Sequence, residues 1–158
     1  MFNEDSLKWW VFVSVGIMIM LASIDSTAVA LALPSIARTF RATLTQLQWI
    51  TTSYVLAAVI FFTIGGRLFD MYGHKIIFMT GSLIFAVTSI VIALSPNQWI
   101  LIAFRFFQGI GFAFTMGTGL LMCTGAFPLE KRGFIMGCIV TVSGVSGALG
   151  PTVGGIIL

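Results

Sequence analysis

Two ionisable residues sit inside otherwise apolar runs: Asp25 in ASIDSTAVALALP and Arg105 in LIAFRFFQGIGFAF. An acid and a base of opposite sign, each removed from water, suggest proton or cation handling. An apolar setting favours the neutral carboxyl and a nearby guanidinium favours the carboxylate. Moving the arginine or admitting a cation changes that balance, so proton uptake and substrate occupancy become linked. Such an aspartate can exchange a proton for a cationic substrate. Two other readings are a structural ion pair and an arginine that extends outward to the lipid headgroups.

The elements that position these residues follow from composition. Of the 158 residues, 58% are apolar and only 8% charged, against roughly 25% charged in a soluble domain. The solvent for such a chain is a bilayer. A spanning helix needs about 20 apolar residues, and five stretches qualify, 9–33, 49–66, 76–94, 99–123 and 134–158. Pro34 with Arg38 and Arg41, then GGRLFDMYGHK, SPNQ and FPLEKRG punctuate them. Trp9, Trp10, Trp49 and Trp99 all fall at span starts, the headgroup depth that suits an amphipathic ring. The expected fold class is an all-α membrane protein of five transmembrane helices.

Lys8, Arg67, Lys75, Lys131 and Arg132 lie on one side and Arg38 and Arg41 on the other, five against two, which places the N-terminus in the cytoplasm. The run 9–33 is too long for a signal-peptide core. Leu158 is then expected at the outer face, and the closing GGIIL, with no polar flank, suggests the N-terminal part of something longer. At 1.5 Å per residue Arg105 lies about 10 Å and Asp25 about 12 Å below the same interface. Each costs about 2.5–3.5 kcal/mol at a helix centre. Asp25 shares a face with Ala22, Ala28, Val29 and Ala32, and Arg105 with Gln108, Gly109 and Phe112. The expectation is that spans one and four pack together or face one polar cavity, with Asp25 and Arg105 in contact or joined by water. Tyr54 and Gln108 are further cavity-facing candidates by polarity alone.

Small residues mark two more places. Ser143, Gly147, Pro151 and Gly155 recur every four residues, as do Ser146, Gly150 and Gly154, giving two edges for close helix contact. Pro151 removes a backbone hydrogen bond, and a kinked or mobile interface is one reading, ordinary tight packing the other. GGRLFDMYGHK reads as a short charged turn in which Asp70 either caps a helix N-terminus, pairs with a base or is merely solvated. Cys123 and Cys138 have neither metal nor redox spacing, no metal cluster or nucleophile constellation suggests an enzyme, and the formal charge of +3 is too scattered for a nucleic-acid surface.

Together these motifs resemble the major facilitator superfamily, in particular its drug:proton antiporters with fourteen spans. The first-span signature L-D-x-T-V-x-N-V-A-L-P is matched by IDSTAVALALP at Asp25, Thr27, Ala32, Leu33 and Pro34, and Ala30 stands in place of its asparagine. The loop signature G-x-L-A-D-R-x-G-R-K appears as GRLFDMYGHK, keeping Gly66, Leu68, Asp70, Gly73 and Lys75, with Met71 and His74 in place of two arginines. The fourth-span signature R-x-x-Q-G-x-G is complete as RFFQGIG. The antiporter signature G-x-x-x-G-P-x-x-G-G appears as SGALGPTVGG, with Ser146 for the first glycine.

The resemblance implies a fold of two six-span halves, of which this chain supplies most of the N-terminal one. It implies coupling of protons and substrate through Asp25, Arg105 and Gln108, and a gating loop at Gly66, Asp70, Gly73 and Lys75. Gly150, Pro151, Gly154 and Gly155 would form the exporter helix motif. The implied function is part of a multidrug efflux transporter, conferring antibiotic resistance from a prokaryotic plasma membrane. A proton gradient drives it, with no cofactor, and the substrates are lipophilic, cationic compounds. Alternating access would need the C-terminal half or another chain. An uptake carrier for a metabolite and a truncated, non-transporting membrane interaction module are the alternatives.

Overall fold

The computed structural model describes residues 4–157, and the side chains of residues 8–151. Its described residues form five helices: α1 (Glu4–Phe40), α2 (Leu44–Tyr72), α3 (His74–Ala93), α4 (Gln98–Ala126) and α5 (Leu129–Ile157). All five are long and apolar enough to cross a membrane. The shortest, α3, has 20 residues, which at 1.5 Å per residue gives about 30 Å, the thickness of the hydrocarbon core. The other four run beyond that thickness into their polar flanks. The four span-start tryptophans are all exposed.

The helix ends are set locally. Pro34 does not stop α1, contrary to the sequence expectation; the helix continues to Phe40. Proline removes its own N–H and crowds the carbonyl four residues back, which bends or weakens a helix without always ending it, and the residues that follow, Ile36, Ala37 and Arg38, are helix-competent. Arg38 stands in the last turn, where a cation suits the helix dipole. The chain then reverses through Arg41 at φ 50, and the Ala42 N–H reaches back to the Ala37 carbonyl at 3.2 Å. A reciprocal capping box starts α2: Gln46 donates its N–H to Thr43 Oγ1 at 3.4 Å, and Thr43 donates its N–H to Gln46 Oε1 at 2.8 Å.

The charged segment 65–75 is a second correction. It is almost entirely helical, and only Gly73 separates α2 from α3. Gly73 takes φ 83, a backbone conformation open to glycine, and its N–H bonds the Phe69 carbonyl at 3.0 Å. Nothing from Arg67 to Tyr72 forbids a helix, so the break falls at the residue that can adopt positive φ. Elsewhere, Asn97 Oδ1 accepts the N–H groups of Trp99 and Ile100, both at 3.0 Å, and so caps α4. At the α4–α5 joint, Arg132 Nε donates to the Phe127 carbonyl at 3.1 Å.

The chain divides into two compact units. One comprises Met1–Ala32 with Gly119–Leu158, the other Leu33–Thr118. In the second, α2, α3 and α4 pack around Phe69, Ile77 and Phe114, with Phe61, Leu68 and Ile110 against them. The buried positions of α3, Ile77, Gly81, Phe85 and Thr88, form one stripe at helical spacing. Between helices in lipid the attraction is mostly van der Waals, so close approach matters more than apolar area. Two crossings in this unit depend on glycines of α4.

Candidate functional site

The RFFQGIG segment of α4 organises the second unit. A Cβ built on Gly109 would collide with the Tyr54 carbonyl oxygen and come within 2.9 Å of Ala57 Cβ, so α2 lies directly on Gly109. A Cβ on Gly111 would stand 2.7 Å from the Phe85 nitrogen and 2.8 Å from the Gly81 carbonyl oxygen, so α3 lies on Gly111. Gly81 faces α4 in return, 2.7 Å from Phe114 Cβ by the same measure. The two glycines of the motif therefore admit one neighbouring helix each.

That approach places the two polar residues of the motif. Arg105 is 2% exposed and Gln108 fully buried. The Arg105 guanidinium carbon lies 5.5 Å from the centroid of the Tyr54 ring on α2, within cation–π range. The same ring tilts against Phe112 at 5.6 Å. Beside Tyr54, the buried Ser53 donates its hydroxyl to the Ile102 carbonyl at 3.2 Å, a second tie from α2 to α4. On the α3 side Gln108 Nε2 donates to Ser89 Oγ at 2.8 Å, and Ser89 passes its own proton to the Phe85 carbonyl at 2.7 Å. Arg105 is thus enclosed in protein rather than laid along a lipid-facing surface. Tyr54, expected only from its polarity, is part of this cluster. Ser89 was not anticipated.

In the first unit Asp25 is half-buried on α1. It extends the buried line Val15, Ile19 and Ala22 by one more helical step. Ser23 and Thr27 of the same helix meet α5. The hydroxyls of Ser23 and Ser143 are 3.3 Å apart, and a Cβ on Gly150 would fall 2.6 Å from Thr27 Cβ. Thr27 Oγ1 bonds the carbonyls of Ser23 and Ile24 at 3.0 and 2.9 Å, and the buried Ser146 donates to the Val142 carbonyl at 2.6 Å. These hydroxyls are satisfied by their own helices, as a bilayer interior demands. The first-span and fifth-span motifs therefore touch at Thr27 and Gly150.

Other expectations fare differently. Of the two small-residue edges on α5, Ser143 and Gly150 meet α1, whereas Gly147 faces open space. The helix runs on past Pro151. Gly154 and Gly155 lie outside the residues whose side-chain surroundings are described. Asp70 and Lys75 are exposed, Gly66 faces open space, and Gly73 forms the break. Asp70 does not cap α3, because Gly73 is its N-cap and no side chain bonds there. Asp25 belongs to the first unit and Arg105 to the second.

The chain is similar in sequence to known proteins. The chain is 33% identical over 151 residues to the riboflavin transporter RibZ of Clostridioides difficile (strain 630), covering 96% of this chain and 33% of that protein. It is 35% identical over 150 residues to the tetracenomycin C resistance and export protein of Streptomyces glaucescens, covering 95% and 28% respectively. Multidrug resistance protein 3 of Bacillus subtilis (strain 168) is 34% identical over 148 residues, covering 92% and 29%. The chain thus spans about a third or less of the length of these relatives. The model for the Major Facilitator Superfamily matches residues 15–158, all but the start of the chain. With five apolar helices and a buried arginine–glutamine motif, the chain belongs to that superfamily of membrane transporters.

Proposed function

We propose that this chain is the N-terminal part of a proton-coupled efflux transporter that exchanges protons for lipophilic cations. In this reading it belongs to the fourteen-span drug:proton branch, sits in a prokaryotic plasma membrane and has its N-terminus in the cytoplasm. Asp25 takes up and releases the proton, and Arg105, held by Tyr54 and near Gln108, sets when it does so. The observation that carries the reading is the enclosure of Arg105, 2% exposed, at an α2–α4 crossing made possible by Gly109. A buried guanidinium is costly in a bilayer, and a task in coupling accounts for the cost. Support for the export direction comes from relatives named for tetracenomycin C export and multidrug resistance.

The test is dye movement in inside-out vesicles containing the native full-length protein. Acidifying the vesicle interior should drive accumulation of ethidium, and Asp25→Asn should abolish that accumulation while leaving the protein in the membrane. Gradient-driven accumulation that survives Asp25→Asn would end the proposal. A second reading, uptake of a metabolite on the same fold, draws support from the riboflavin transporter among the relatives. Substrate entering right-side-out vesicles under an inward proton gradient would decide for it.

A further inference from the structure

The bond between Gln108 and Ser89 has a direction that the backbone dictates. Ser89 lies one turn after Phe85 on α3 and donates its hydroxyl proton to the Phe85 carbonyl at 2.7 Å. A carbonyl oxygen only accepts and a hydroxyl carries one proton, so with that proton committed Ser89 Oγ offers lone pairs alone. Its partner on α4 must therefore donate, and of the two ends of a glutamine amide only the nitrogen can. Gln108 Nε2 does so at 2.8 Å. The helix crossing brings the two together, because Gly111 admits α3 at Phe85, and one turn on from Phe85 faces one turn back from Gly111. The acceptor end of the amide, Oε1, is turned away from Ser89 and enclosed in protein. Gln108 and Arg105 stand on one face of α4.

We propose that Ser89 is a positioning residue for proton coupling: by holding Nε2 toward α3, it keeps Gln108 Oε1 as an acceptor on the Arg105 side of the amide. An acceptor there shares the donors of the guanidinium and tempers its pull on a carboxylate, whereas a donor turned the same way does not. Ser89 acts through Gln108 and handles neither proton nor substrate itself. The inference rests on the coupling role proposed above for Arg105. The ionisable groups at this crossing are Arg105 on α4 and Tyr54 on α2. His74 and Lys75 begin α3, about 20 Å along the helix from Ser89, beside Arg67 and Asp70 at the end of α2.

The experiment is the initial rate of gradient-driven ethidium accumulation as a function of pH, in inside-out vesicles of the native full-length protein. Ser89→Ala frees the amide to turn, so Arg105 holds the coupling carboxylate more firmly. The proton concentration at half-maximal rate should then rise about threefold, the factor matching an interhelical hydrogen bond of average strength in a membrane. Ser89→Thr keeps the hydroxyl and should restore the profile. Ser82→Ala removes a hydroxyl that bonds the Phe78 carbonyl of its own helix at 2.8 Å, and should leave the profile where it was. Where Ser89→Ala does not reach the membrane, Ser89→Cys, close in size and a weak acceptor, takes its place. An unmoved profile, one displaced the other way, or an equal displacement in Ser82→Ala overturns the proposal, since a packing role changes the amount of folded protein and not its titration. Accumulation that survives Asp25→Asn ends the coupling reading and this inference with it, whereas an unmoved Ser89→Ala profile ends this inference alone.

Discussion

Gln108 on α4 donates its side-chain N–H to Ser89 on α3 at 2.8 Å, and Ser89 hands its own proton to the Phe85 carbonyl one turn earlier. The amide is fully buried, so losing this acceptor removes its bond to α3 in a setting where water does not replace it. Interhelical hydrogen bonds in membranes average about 0.6 kcal/mol and reach about 1.7. Ser89→Ala should therefore lower stability by about 0.6–1.7 kcal/mol, read as a lower unfolding midpoint in detergent. Ser89→Thr keeps the hydroxyl and should retain most of it. A midpoint unmoved by Ser89→Ala would mean that the bond contributes nothing to α3–α4 packing.

Two glycines of one motif and one glycine outside it give a graded test of close packing. A methyl group on Gly109 meets the backbone of Tyr54 and on Gly111 the backbone of Phe85, neither of which is a flexible side-chain end. Overpacking of this kind costs about 1–3 kcal/mol. Gly66 faces open space on the same bundle. Alanine there should be neutral, or stabilising by up to about 1 kcal/mol through helix propensity. Thermal melts of the three alanine variants should rank Gly66→Ala above wild type or level with it, and the other two well below.

The fold was legible where the bilayer itself imposes it. About 20 apolar residues must follow one another to cross it, so all five helices appear in the sequence as runs. Their ends were less so. Pro34 and the charged run 65–75 read as interruptions, yet the local backbone permits helix through both, and only positive φ at Gly73 forces a break. The T-x-x-Q pattern of the capping box at Thr43 and Gln46 was present to be read. Arg105 and Gln108 stood out because polar residues are rare in such a run. Ser89 did not, because a serine in a membrane helix ordinarily bonds its own i−4 carbonyl, as Ser82 and Thr80 also do. Its second partnership depends on which helix crosses α4, a fact of tertiary packing.

The α1–α5 contact predicts a cross-link and a rescue. The hydroxyl oxygens of Ser23 and Ser143 are 3.3 Å apart. With Cys123 and Cys138 replaced by Ser, the Ser23→Cys, Ser143→Cys pair should form a disulfide under mild oxidation, seen as a reducible shift on a gel. Gly150→Ala inserts a methyl group against Thr27 and should weaken the contact, slowing that cross-link. Thr27→Ala removes the atoms in its way, so the double variant Thr27→Ala, Gly150→Ala should recover much of the rate. No recovery would place the damage of Gly150→Ala somewhere other than Thr27.

Arg105 and Tyr54 give the sharpest functional prediction. The guanidinium carbon is 5.5 Å from the ring centroid and the arginine is almost wholly enclosed. A desolvated cation–π contact is worth about 2 kcal/mol, and lysine lacks the planar, delocalised guanidinium that arginine presents to an aromatic ring. Arg105→Lys keeps the charge but alters both geometry and hydrogen bonding. If Arg105 controls proton release, gradient-driven dye transport in vesicles should fall by at least about tenfold, the factor that corresponds to 1.4 kcal/mol. Tyr54→Phe preserves the ring face and should fall far less, whereas Tyr54→Leu removes it and should approach the lysine variant. Leucine and phenylalanine behaving alike would show that the ring face has no part in holding the arginine. Normal transport in Arg105→Lys would leave the charge as the only property that matters.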